Sequence, residues 1–107
     1  MTHKVVFRKK AVSDLEKLYE YIRDREQNAD RAISYVRRIR QYCEGFSTFP
    51  ERGILRDDIR PGLRMVGFER RIVILFEVTD SVVRIGHILY GGRDFEKLLR
   101  RGRKPSE

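Results

Sequence analysis

IVILFEVTDSVVRIGHILYGG, residues 72–92, reads as two strands and the tight turn between them. Its first part, IVILFEV (residues 72–78), is apolar at consecutive positions, so both faces are covered and the strand is central. Thr79, Asp80 and Ser81 supply turn chemistry. Residues 82–90 predict the next strand, and Gly91-Gly92 ends it. Just upstream, residues 63–68 make a third strand, and such close spacing argues for an antiparallel meander. Strict alternation along residues 82–90 puts Val83, Ile85, His87 and Leu89 on one face. Val82, Arg84, Ile88 and Tyr90 then share the other.

Upstream of the meander the period changes. KVVFR, residues 4–8, is a short β-branched run that predicts a first strand. From Ala11 to Glu26, Val12, Leu15, Leu18, Tyr19 and Ile22 recur at three- and four-residue spacing, the signature of an amphipathic helix. Ser13 and Glu16 have capping-box spacing, at the start of that helix or inside it. Asn28 is a sound N-cap for a second helix. There Ala29, Ala32, Ile33, Val36, Ile39, Cys43 and Phe46 hold one apolar stripe. Helices joined this tightly form an antiparallel hairpin. Residues 47–62, STFPERGILRDDIRPG, have no sustained period and read as a long loop, a length often tied to function. Residues 93–99 predict a short C-terminal helix, and residues 100–107 a basic, flexible tail. The expected fold is α+β in the order β-α-α-β-β-β: an N-terminal strand, a helical hairpin on one sheet face, then a three-stranded antiparallel meander. Residues 1–99 form one domain in this reading.

The chain has 107 residues, 40% hydrophobic and 37% charged, which suits one folded core rather than a disordered segment. No stretch approaches the roughly 18 consecutive apolar residues of a membrane span. The opening MTHKVVFRKK has too short an apolar run for a secretory signal, so a cytoplasmic protein is expected. One cysteine builds no disulfide framework. Lys+Arg number 24 against 16 Asp+Glu, a net charge of +8, and each half of the chain carries the same excess. Eighteen of the basic residues are arginine, whose planar fork suits carboxylate and phosphate. A GC-rich genome's preference for arginine codons explains the same count, and composition does not separate the two.

Candidate chemistry is sparse. His3, Cys43 and His87 are the soft ligands and lie far apart in sequence, so no metal or other cofactor is expected. Cys43 lies on the second helix's apolar stripe and reads as a buried structural thiol. His87 is aligned with apolar neighbours and reads as a packed imidazole, while Arg84 and Tyr90 share a face that could be open. For metal-free RNA cleavage, His87, Tyr90, Arg84, Arg64 and Arg93 are the residues that could stabilise a phosphorane and move a proton, with Arg64, Arg84 and Tyr90 the sharper set. Arg56 to Arg64, RDDIRPGLR, alternates charge around a turn-forming Pro61-Gly62. It holds itself by local ion pairs or presents its arginines to a partner. A basic surface with an apolar helix–sheet groove suits an acidic amphipathic helix.

Taken in order, these pieces resemble the RelE/ParE superfamily of bacterial toxins, and the ParE branch fits best. The carriers are AVSDLEKLYEYI (residues 11–22), YVRRIRQYCEGFSTFPERG (35–53), RDDIRPGLRM (56–65), IVILFEV (72–78) and VVRIGHILYGGRD (82–94). The resemblance spans residues 5–99, and the ordered set is more specific than any one piece. RelE-like members cut messenger RNA in the ribosome and usually carry an arginine in the central strand, at the place of Val73. A valine there has no charge with which to stabilise a phosphorane. Tyr90 stands where the nuclease branch keeps a tyrosine or histidine and where the ParE branch more often has histidine.

The ParE resemblance implies a plasmid stabilisation toxin that inhibits DNA gyrase, arrests growth and is neutralised by an acidic, ParD-like antitoxin. It implies no catalytic centre. Contact with the target is expected at Tyr90, Arg93, Asp94 and Leu98. Contact with the antitoxin is expected at Leu15, Tyr19, Ile22, Arg56 and Arg64. DNA contact is expected only through the antitoxin or gyrase. The RelE-like alternative is a ribosome-dependent endonuclease, and a third is a module that binds its antitoxin and poisons nothing.

Overall fold

The structure, a computed structural model, describes residues 2–91. The chain runs β1 (Lys4–Phe7), α1 (Lys9–Glu26), α2 (Ala29–Glu44), β2 (Ile54–Leu55), β3 (Leu63–Phe68), β4 (Ile72–Thr79) and β5 (Val82–Tyr90). The expected short helix at 93–99 and tail at 100–107 lie outside the described residues. The strands form one sheet in the order β1-β5-β4-β3-β2. β3, β4 and β5 are the expected antiparallel meander.

Two features of the sheet's make-up depart from the expectation. β1 pairs parallel to β5, Lys4 opposite Val82 through Phe7 opposite Ile85, so the sheet is mixed. The reason is the crossover: the helical hairpin carries the chain over the sheet before it returns. The long loop also contains a fifth strand, Ile54–Leu55, which pairs with Met65 and Arg64 at the sheet edge. Two residues are too few to show a period of two, so nothing in the pattern marks this strand.

Asn28 caps α2 as its residue type predicts, its side chain accepting the Arg31 N–H at 3.0 Å. α1 ends one residue earlier, where Gln27 takes a left-handed conformation with φ 53°. Ser13 and Glu16 both fall inside α1, whose N-cap is Arg8. The hairpin buries Leu15, Leu18, Ile22, Ala32, Ile39 and Cys43 against Ile72, Ile74, Phe76, Val83, Ile85 and Ile88 of the sheet. Phe46, just past α2, is fully buried with its ring 4.8 Å from that of Phe76.

A β-bulge reorders the last strand. Phe76 pairs with Ile85 and Leu75 with His87, leaving Gly86 without an opposite residue. Before the bulge Val83 and Ile85 face the helices; after it Ile88 and Tyr90 do. His87 and Leu89 therefore point to the opposite face, with Leu75 and Val73. This overturns strict alternation: His87 does not share a face with Val83 and Ile85, and Arg84 does not share one with Tyr90. One extra residue inverts every position beyond it.

The helix-free face has its own small core. Ile59, from the loop before β3, is buried there with Leu63, Leu75 and Leu89, and Met65 and Val73 pack against them. Pro61-Gly62 makes the turn that brings the loop back: Leu63 N–H donates to Arg60 C=O at 3.1 Å, with Gly62 at φ 81°.

Candidate interaction surfaces

On the outer side of the helical hairpin, α1 and α2 leave a groove of about 500 Å³. Val12, Tyr19, Ile33 and Val36 supply its apolar surface, and Leu15 lies at its floor. Val12 and Ile33 are 39% and 41% exposed although both belong to apolar stripes. The stripes are wider than one sheet face can cover, and their surplus becomes this groove. Glu16 and Glu20 line the α1 side, Arg37 and Arg40 the α2 side.

The expected antitoxin contacts do not share one surface. Tyr19 lines the groove. Leu15, at the floor of the same groove, and Ile22 are core residues, 4% and 8% exposed. Arg56 grips Asp58 through two hydrogen bonds of 2.9 and 2.7 Å, the local ion pair that its spacing suggests. Arg64 lies on the helix-facing side of β3, opposite Phe76, and donates to the Arg52 carbonyl at 3.2 Å. Sequence reading passed over the exposed side chains of Ile33 and of Phe49, Ile54 and Leu55 near the β2 edge. Ile33 had one available signal, its place at the margin of the α2 stripe.

Tyr90 closes β5 between the two helices. Its ring centroid lies 5.5 Å from that of Tyr21 and 6.4 Å, edge-on, from that of Tyr35. Arg25 donates to the Tyr21 hydroxyl at 3.2 Å. Burial pushes the Tyr35 phenol above its ordinary range. Beside it, Arg38 makes two bonds to Glu69, at 3.0 and 2.9 Å, and holds that carboxyl below the usual carboxylate range. This pair ties the β3–β4 turn to α2. Of the other expected target contacts, Arg93, Asp94 and Leu98 lie outside the described residues.

Arg64, Arg84 and Tyr90, the sharper set for RNA cleavage, are not brought together; His87 lines the same cleft as Arg84, and Arg93 lies outside the described residues. Arg84 pairs with Glu77 on the helix-free face, whereas Arg64 and Tyr90 pair with Phe76 and Ile72 on the helix-facing side. Val73 packs against the small apolar core of the helix-free face. Arg84 instead lines a cleft there with Arg8, Lys10, Arg60, Glu77 and His87. Among the described residues no group of three His, Cys, Asp or Glu is placed to hold a metal ion. No described helix is long and apolar enough to cross a membrane.

A mixed sheet, a helical hairpin and grooves rimmed by arginine define a small α+β domain. The chain belongs to the family of ParE toxins of type II toxin-antitoxin systems, parDE, whose model matches residues 5–95. Among solved structures, a chain of the chromosomal ParDE TA system from P. aeruginosa superposes with a TM-score of 0.73. The match covers 84% of this chain and 97% of that one at 21% identity, and it shows a shared fold. No curated protein matches the chain.

Proposed function

We propose that this ParE toxin inhibits DNA gyrase by direct binding and is neutralised by a cognate acidic, ParD-like antitoxin in the cytoplasm. The observation that carries a binding role is the division of Arg84 from Arg64 and Tyr90 by the sheet itself. General acid–base chemistry needs its groups within hydrogen-bond reach of one reacting centre. Groups on opposite sheet faces do not meet that condition, so RNA cleavage by this set is disfavoured. The net charge of +8 and the apolar groove on the hairpin suit an acidic amphipathic partner.

The test is a supercoiling assay with purified, antitoxin-free protein, reading plasmid topology and linear DNA together. Lost supercoiling with accumulation of cleaved plasmid is the expected result, reversed when antitoxin is added. Unchanged gyrase activity with folded protein would overturn the proposal.

A further inference from the structure

The cleft on the helix-free face gathers positive charge from separate parts of the chain. Arg8 comes from the β1–α1 junction, Arg60 from the loop before β3, and Arg84 and His87 from either side of the β5 bulge. The bulge is what puts His87 there, since unbroken alternation would turn it toward the helices. Lys10 stands at the rim, 3.8 Å from one carboxylate oxygen of Asp14, whose other oxygen lies 3.7 Å from His87 Nδ1.

Glu77 is the one carboxylate lining this cleft among the described residues. It is shared by Arg8 at 3.4 Å and Arg60 at 3.8 Å. Both distances exceed the roughly 2.7–2.9 Å of a well-made charge-assisted bond. Arg84 donates to a neutral hydroxyl, that of Thr79. The arginines are thus held near the cleft without their full hydrogen-bonding capacity being used by Glu77.

We infer that this cleft is an oxyanion site that takes a single phosphate group, with Arg8, Arg60, Arg84 and His87 as its ligands and Glu77 as the resident anion that yields to it. The volume, about 120 Å³, suits one tetrahedral anion and excludes a helix or folded peptide. Phosphate suits the cleft better than a second carboxylate because it offers more acceptor oxygens to donors that come from separate elements. The assignment concerns binding and does not depend on the gyrase reading. Backbone phosphate of a polynucleotide and free phosphate share this chemistry.

The experiment is an NMR titration of the full chain with inorganic phosphate at constant ionic strength, repeated with a single-stranded hexanucleotide. Saturable shifts are expected at the amides around Gly86 and His87 and at the Arg8, Arg60 and Arg84 guanidinium groups. Arg84→Ala and Arg60→Ala should each weaken phosphate binding about tenfold, the scale of one charge-assisted contact. Glu77→Gln should tighten it by removing the competing anion. Arg37→Ala removes an equal charge from the far side of the helices and should change nothing. Tighter binding of the hexanucleotide at the same residues would support the site and name the backbone as source. Binding of phosphate alone would support it with a free phosphate as ligand. Shifts spread over the basic surface, no saturable shift at these residues, or an equal loss in Arg37→Ala would overturn the inference. The wild-type shift pattern keeps that decision open to test even where a variant fails to fold.

Discussion

The Asp14 carboxylate, on α1, accepts the backbone N–H of Ile88, on β5, at 2.9 Å. β1 reaches only Val82 through Ile85, so β5 beyond the bulge has no strand on that side. Asp14 supplies the acceptor a strand would have provided, across 74 residues of sequence. An unsatisfied buried N–H costs ~1–3 kcal/mol. Asp14→Ala should therefore lower the unfolding free energy by about that much, whereas Asp14→Asn, which keeps an acceptor oxygen, should lose clearly less. Urea denaturation of both variants checks the order, and equal losses would assign the effect to charge instead.

Gly53 precedes β2 at φ 73°, and a Cβ there would collide with the Met65 carbonyl oxygen and lie 3.0 Å from its carbon. Gly62 has a similar φ, 81°, with open space around it. Gly62→Ala should cost only the strain of a left-handed backbone, ~1 kcal/mol. Gly53→Ala adds a backbone clash on top of that strain and should cost more, ~2–3 kcal/mol, with loss of β2 pairing. Thermal melts that ranked the two the other way would contradict this geometry.

The loop that holds both glycines, and the elements on either side of it, differ in how legible they were in the sequence. The helices were readable because 16 to 18 residues repeat an apolar spacing several times over. The meander was readable because residues 72–76 are apolar without a break and Asp80-Ser81 mark the turn into β5; the β3–β4 turn, Glu69-Arg70-Arg71, carries no such signal. β2 was not, being too short to carry a period, nor was Ile59, one isolated apolar residue in a charged loop. Above all, the bulge at Gly86 decides which face His87 and Tyr90 occupy; a glycine inside a strand is the signal available for it, but Gly67 carries the same signal in β3 and pairs in unbroken register with Val73. The division of the candidate site between two faces is thus a tertiary fact. Strand alternation alone assigns it wrongly.

Cys43 is fully buried in α2, and burial pushes its thiol up to about 12. A thiol with a raised folded-state pKa contributes stability that is intact below the unfolded value and is lost as pH rises toward the folded one. Between about pH 9 and 12 the unfolded chain releases this proton while the folded chain keeps it. The stability lost by pH 10 from this group is ~1 kcal/mol. Cys43→Ala should flatten that part of the pH profile, although it leaves a cavity that lowers stability at every pH. Native protein at pH 8 should also react slowly with a thiol reagent, at a rate that follows unfolding.

Ile33 is the sharpest place to test the hairpin groove as the antitoxin's seat. Its side chain is 41% exposed between Val12 and Val36, and it borders Arg37. Ile33→Glu puts a carboxylate where an acidic, apolar-faced helix would have to lie. It should weaken antitoxin binding by tenfold or more, about 1.4 kcal/mol or above, chiefly through faster dissociation. The melting temperature should move little, because the position is outside the core. Gyrase inhibition by the free variant should persist, and relieving it should take about tenfold more antitoxin or above. Calorimetry with the cognate antitoxin, beside the supercoiling assay, separates the outcomes. Unchanged affinity would move the antitoxin off this groove and toward the exposed Phe49, Ile54 and Leu55 at the β2 edge.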